Sequence, residues 1–205
     1  MEYEIRFYYS KNEYDNMFKQ LSNIKDLSCD GRKYEKTIQY NHPNKEFDFY
    51  SKKIDGRFRV RISKGESINK CMISWKRRLG LNDKINTEEE IELNIEPNEY
   101  DNLLFLLNNV LHLKEIESYE RYRTTFSNKD VEIALDEYPF GLALEIEAKG
   151  SNPNKIIDKY INLLGLSYDD SYKLSWDDKY AELCKEQGFK IEKHVLFNKK
   201  IPIIK

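Results

Sequence analysis

Residues 2–7, EYEIRF, alternate ionised and apolar side chains, with Glu2, Glu4 and Arg6 on one side and Tyr3, Ile5 and Phe7 on the other. A period of two is that of a β-strand with one charged and one apolar face. The pattern recurs along the chain. GRFRVRIS sets Arg57, Arg59 and Arg61 opposite Phe58, Val60 and Ile62. MISWKRRL sets Lys76 and Arg78 opposite Ile73, Trp75 and Arg77, and EEEIELNI sets Glu88, Glu90 and Glu92 opposite Glu89, Ile91, Leu93 and Ile95. YERYRTTF places Arg121 and Arg123 opposite Tyr122 and Phe126. VEIALDEY places Glu132 and Asp136 opposite Val131, Ile133 and Leu135, and LALEIEAK places Glu145 and Glu147 opposite Leu144 and Ile146.

A sheet that faces water mixes Thr, Ser, Gln, Lys and Glu on its polar side, because nothing there demands one charge type per strand. Here most strands carry a pair of one sign at i and i+2. Like charges at that spacing are unfavourable unless opposite charges lie across from them, so their segregation marks a site. If the sheet closes, the charged faces point inward, where an eight-stranded barrel has room for side chains or one small ligand. Burying such charges dry costs several kcal/mol per ion; the interior must be wet, mutually paired, or filled by metal and anion. Clustered carboxylates suit Mg2+ or Mn2+, which take oxygen ligands, and clustered arginines suit phosphate, whose oxygens match the guanidinium fork.

The remaining sequence supplies the covering. SKNEYDNMFKQLSNIK repeats Tyr14, Met17, Phe18, Leu21 and Ile24 at helical spacing behind a capping Ser10. PNEYDNLLFLLNNVLHLK reads as a second helix entered at Pro97, and PNKIIDKYINLLG as a third, from Pro153 to Gly165. The second half of 167–189 reads as a fourth. YEKTIQYN and KEFDFYSK add strand-like pieces. At 205 residues the chain suits one α+β domain of about eight strands, and without regular βαβ alternation the strands pair antiparallel.

Composition excludes several classes. A net charge of −2 gives no global basic field for nucleic acid. Cys29, Cys71 and Cys184 lack metal-binding spacing and read as buried thiols of a reducing compartment. The run at 103–111 is too short to span a bilayer, and charges from residue 2 argue against a signal peptide; a cytoplasmic protein with no membrane partner is expected.

Taken in order, these motifs resemble the CYTH superfamily, the triphosphate tunnel metalloenzymes. Glu2-Tyr3-Glu4-Ile5-Arg6 is similar to the family's E-x-E-x-K, with Arg in place of Lys. FRVR at 58–61, ISWK at 73–76, EIEL at 90–93, RYR at 121–123 and LDEYPFGLALEIEAKG at 135–150 resemble the later strands, and KYAEL at 179–183 the S-Y-x-x-L helix without its Ser. The resemblance covers residues 1–188, leaving 189–205 as a tail of unassigned role. It implies a closed eight-stranded antiparallel β-barrel, the triphosphate tunnel, with helices packed outside.

By that likeness Glu2, Glu4, Asp136, Glu145 and Glu147 would hold Mg2+ or Mn2+, and Arg6, Arg59, Arg61, Lys76, Arg121 and Arg123 would grip a triphosphate. Glu90 and Glu92 would orient those cations or assist a second metal, joining Glu4 and Arg6 in catalysis. Arg57 and Arg78 lie nearer strand ends, where a rim or solvated location competes at least equally with a tunnel one, and the 15 Tyr and 10 Phe are expected to pack helices against the outside of the sheet. The implied activity is hydrolysis of a triphosphate: inorganic, nucleoside or thiamine triphosphate, or an RNA 5′ triphosphate end. The alternatives are a class IV type adenylate cyclase and a polyphosphate or nucleotide-binding module without turnover.

Overall fold

The structure, a computed structural model, describes residues 2–49, 56–66, 68–79 and 86–205. In chain order the elements are β1 (Glu2–Tyr9), α1 (Tyr14–Ser22), β2 (Ser28–Asn41), β3 (Gly56–Lys64), β4 (Asn69–Arg78) and β5 (Asn86–Ile95). Then come α2 (Tyr100–Phe105), β6 (Lys114–Ser127), β7 (Val131–Tyr138), β8 (Gly141–Ala148), α3 (Pro153–Leu164), α4 (Trp176–Gln187) and the short β9 (His194–Val195).

Eight of the strands form one antiparallel sheet in the order β2-β3-β4-β5-β1-β8-β7-β6, curled so far that β2 also pairs with β6. The seam between β1 and β5 is the loose one, with Glu2, Tyr3 and Glu4 opposite Glu88, Thr87 and Asn86. Among the described residues β5 from Glu89 to Ile95 pairs with β4 alone. The curl, the antiparallel pairing and the helical covering agree with expectation; full closure does not, because along the outer edge of β5 the half-barrel is open. KEFDFYSK does not add a strand among the described residues: Lys45–Phe47 make one 3-10 turn, and 50–52 lie outside the described residues.

The apolar faces point outward under the helices. Ile5, Phe7, Ile133, Leu135, Leu144 and Ile146 pack against Met17 and Leu21 of α1 and Ile157, Tyr160 and Ile161 of α3. Ile38, Val60 and Cys71 pack against Leu103 and Leu107 of the second helix, which changes to π-type bonding over Leu106–Val110. α3 starts at Pro153 and ends on Gly165 at φ 66°, the left-handed turn that glycine adopts without strain. Gly31, at φ 80°, serves the bulge that shifts register between Cys29 and Arg32.

α4 closes one end of the half-barrel. Its first residue, Trp176, lies against Tyr119 at 4.3 Å and stacks on Tyr138 at 6.2 Å, so part of the aromatic complement forms an interior floor instead of outer packing. Beyond α4 the chain returns, with Val195 in register with Tyr119 and the Ile204 N–H donating to the Phe140 carbonyl at 2.8 Å. The thiols divide: Cys71 and Cys184 are buried as expected, while Cys29 is exposed.

Leu144 is fully buried, facing Phe7 on β1 and Leu135 on β7. Leu144→Ala is expected to lower stability by about 2–5 kcal/mol in urea denaturation; a loss under about 1 kcal/mol would mean this outer face is not the core.

Candidate active site

Because side chains on paired strands stand side by side, the registers build the interior row by row. Glu35 faces Arg121 on β6 and Ser63 on β3; Thr37 faces Tyr119 and Arg61; Gln39 faces Glu117 and Arg59. On the other side Glu4 faces Glu147, and Arg6 faces Glu145. The sheet order then sorts the charges into two walls. β5, β1 and β8 are consecutive and carry Glu88, Glu90, Glu92, Glu4, Glu145 and Glu147, whereas β6 and β3 flank β2 and carry Arg121, Arg123, Arg57, Arg59 and Arg61. Between them lies a cavity of about 430 Å³, lined by ten cationic side chains and eight carboxylates among the described residues.

Most of the expected site residues meet there: Glu4, Arg6, Arg59, Arg61, Lys76, Glu90, Glu92, Arg121, Arg123, Glu145 and Glu147 all line this one cavity. Two do not fit so simply. The Glu2 side chain lies outside the described part. Asp136 is fully buried behind the lining, where Oδ1 accepts from Arg123 Nε at 2.6 Å and Oδ2 from Arg121 Nη1 at 2.7 Å and Arg123 Nη2 at 2.6 Å. It therefore anchors the two arginines and is not part of the cavity lining. Of the two locations open to Arg57, the structure shows the interior one: it is buried in the cavity lining, and its Nη2 donates to the Ser175 hydroxyl at 3.0 Å, at the start of α4. The Arg78 side chain lies outside the described part.

Arg6 uses its whole fork. Nε donates to Glu145 at 2.7 Å, Nη2 to Glu4 at 3.2 Å and Nη1 to the Leu174 carbonyl at 3.3 Å. A lysine offers no such planar span. Burial alone lowers the tendency of this guanidinium to hold its proton, but Glu145 and Glu4 outweigh that and keep it firmly charged. Arg59 bonds Glu90 at 3.0 Å, and Lys76 meets Glu88 at 2.5 Å and Glu4 at 3.7 Å.

Glu35 is a cavity-lining residue that the sequence does not signal, because YEKTIQYN alternates too weakly. It is buried, accepting from Arg121 Nε at 2.8 Å and the Ser63 hydroxyl at 2.9 Å. Burial pushes its carboxyl up, yet Arg121 and Arg61 hold it well below the ordinary 4.5. Glu145 behaves alike: burial raises it, and Arg6 and Arg123 bring it far down.

The donors facing the acidic wall are carboxylate oxygens, the chemistry a hard divalent cation prefers. Among the described residues no three Asp, Glu, His or Cys side chains converge as a metal-holding group.

Fold and site together define an antiparallel β-channel with a charge-sorted interior. The chain belongs to the CYTH family: the model of the CYTH domain matches residues 1–169. The structure is similar to that of the PH1819 protein of Pyrococcus horikoshii OT3, at a TM-score of 0.68 and 26% identity, covering 91% of this chain and 99% of that one. It is also similar to HpAC1 of Hippeastrum, a putative adenylyl cyclase with a dominant triphosphatase activity, at a TM-score of 0.61 and 17% identity, covering 95% of this chain and 100% of that one. A putative adenylate cyclase of Vibrio parahaemolyticus shares the fold at a TM-score of 0.62 and 14% identity, covering 86% and 96%. No match is found among curated proteins. No helix of the described residues is long and apolar enough to cross a membrane.

Since Glu35 and Glu145 are depressed in the folded protein, their stabilising effect is complete above about pH 4.5 and fades as pH falls toward their folded values. Denaturant midpoints are expected to drop below about pH 4.5, with a shallower decline in Glu35→Gln and Glu145→Gln. A wild-type profile flat through that range would contradict the pairing.

Proposed function

We propose that the protein is a divalent-metal-dependent hydrolase of a triphosphate-containing substrate, whose terminal phosphorus is attacked by water. The observation that carries this reading is the convergence of Arg59, Arg61, Arg121 and Arg123 on one cavity in which cations outnumber carboxylates. An excess of cationic side chains, arginine and lysine together, around one cavity calls for a polyanion. A volume of about 430 Å³ accommodates a chain of phosphates but is modest for a macromolecule. The closed form of the tunnel belongs to the same reading, as the state in which the bound polyanion joins the two walls.

Asp136 orients Arg121 and Arg123, with Glu35 also holding Arg121 and Glu145 also holding Arg123, so the forks are fixed before a phosphate arrives, which lowers the entropy lost on binding. Glu90 does the same for Arg59. Glu4, Glu145 and Glu147, with Glu2, would hold Mg2+ or Mn2+, and Glu92 lies on the same wall. Bound there, the cation supplies charge neutralisation at phosphoryl oxygens, as divalent ions do in phosphoryl transfer. Arg6 stays charged throughout, so its part is to bind and to space Glu4 from Glu145; the proton of the attacking water goes elsewhere. Catalysis of this kind is mostly positioning and charge stabilisation, consistent with walls that offer carboxylates and guanidiniums. The fold is shared with a protein of dominant triphosphatase activity and with putative adenylate cyclases, and hydrolysis is the chemistry that needs no ribose contact.

A panel of inorganic triphosphate, ATP, thiamine triphosphate and triphosphorylated RNA, each with Mg2+ or Mn2+, is expected to yield orthophosphate from at least one member. Arg123→Ala should raise KM at least about tenfold, equivalent to about 1.4 kcal/mol, and Glu4→Ala should nearly abolish kcat. Cyclic AMP and pyrophosphate from ATP, with no orthophosphate, would replace hydrolysis by cyclisation; tight binding without any product would replace it by a binding role.

A further inference from the structure

The interior row of Tyr119, Thr37 and Arg61 has no part in the reading so far beyond the arginine. Thr37 is the cross-strand partner of both others, so the three side chains stand at one height on β6, β2 and β3. Arg61 Nε donates to Thr37 Oγ1 at 3.2 Å, and the Thr37 hydroxyl is also hydrogen-bonded to the Tyr119 phenol. Tyr119 lines the cavity, and Trp176 at 4.3 Å and Tyr138 at 5.8 Å fix its ring. Arg121 follows two residues along β6 and Arg59 precedes Arg61 by two along β3. Three guanidiniums thus surround one phenol, and they are three of the four assigned to phosphate.

We propose that Tyr119 is a further ligand-binding residue, its hydroxyl donating to a phosphoryl oxygen held by Arg59, Arg61 and Arg121. This inference rests on the triphosphate reading of the site. The surroundings support it on every side. β2 presents Thr37 and Glu35, the latter committed to Arg121 and Ser63. β3 presents Arg59 and Arg61. On β6 itself stand Arg121 and Glu117, a carboxyl that burial and then Asp177 push up to about 7. β7 presents Tyr138, whose own phenol burial raises well above 10, and Asp136, which both Arg121 and Arg123 occupy. α4 contributes the uncharged ring of Trp176, with Asp177 next to it in the chain, and β9 contributes Val195.

Burial pushes the Tyr119 phenol up, but Arg61, Arg121 and Arg59, with the Thr37 hydrogen bond, outweigh it and hold the group at about 8. A bound polyphosphate neutralises those guanidiniums and sets negative charge beside the phenol, so the complex keeps Tyr119 protonated to higher pH. Affinity is then full below about pH 8 and falls about tenfold per pH unit above it, as the free protein loses one proton that the complex retains.

The test is calorimetric titration with inorganic tripolyphosphate, without divalent metal, from about pH 7 to about pH 9.5, on the wild type and on Tyr119→Phe, alongside tyrosinate absorbance. The wild type is expected to lose affinity about tenfold per unit above about pH 8 and to show one tyrosine titrating there, displaced upward by tripolyphosphate. Tyr119→Phe keeps the ring and should lose that extra slope and that signal, the ligand's own protonation being common to both proteins. A variant that keeps the wild-type slope, or a signal that tripolyphosphate leaves unmoved, would overturn the assignment while leaving the triphosphate reading intact. Failure of tripolyphosphate to bind at any pH would overturn that reading and this inference with it. Should Tyr119→Phe fail to fold, the wild-type absorbance titration decides alone: no tyrosine titrating near pH 8 rejects the assignment.

Discussion

Ionised side chains can be buried inside a small sheet only where each meets an opposite charge in good geometry, because stranding one costs several kcal/mol. The unit that satisfies this here is Asp136 with Arg121 and Arg123, in which one fully buried carboxylate takes three guanidinium hydrogen bonds of 2.6 to 2.7 Å. Glu35 repeats the arrangement one row away, and Arg6 bridges Glu4 to Glu145 on the acidic side. Without these pairings the inward faces would repel one another and the sheet could not curl. Such pairs add little net stability relative to apolar replacements, so their presence is better explained by what they hold ready than by what they contribute to folding.

What they hold ready is polarity across a cavity. The chain order of charged strands is acidic, basic, basic, acidic, basic, acidic, acidic, and the sheet order gathers β5, β1 and β8 on one side and β6 with β3 about β2 on the other. On the proposed reading, an extended phosphate chain between those walls would meet guanidiniums along its length, with carboxylates opposite that would share a cation with it. Asp136 and Glu90 keep the arginine forks oriented before any ligand arrives, which is preorganisation of the kind that accelerates reactions developing charge on oxygen. α4 seals the lower end with Trp176, so that the floor is aromatic and the charge stands above it.

Much of this was legible in the sequence, and for one reason: a strand has a two-residue period, so pairs such as Arg59 and Arg61 or Glu145 and Glu147 declare a shared face without any knowledge of the fold. The helices at α1 and α3 were equally plain from their apolar stripes and, for α3, from Pro153 and Gly165. What one-dimensional pattern cannot hold is which strand adjoins which. Asp136 looked like another carboxylate of the acidic set until β7 was seen to lie beside β6, where its partners are arginines. Arg57 stayed open between rim and interior because α4, which buries it, comes more than a hundred residues later. Glu35 and Tyr119 sit among mixed neighbours on β2 and β6, and only the cross-strand registers show that they share rows with Arg121 and Arg61.

The central claim is that the two charged walls enclose a bound polyphosphate. A crystal structure of the protein grown with inorganic tripolyphosphate and Mn2+ tests it most directly, since phosphorus positions and the anomalous signal of manganese locate ligand and metal independently. The account predicts three phosphorus atoms inside the cavity, with Arg59, Arg61, Arg121 and Arg123 on their oxygens and manganese toward Glu4, Glu145 and Glu147. Tripolyphosphate lying on the outer surface, with the cavity holding water alone, would contradict it.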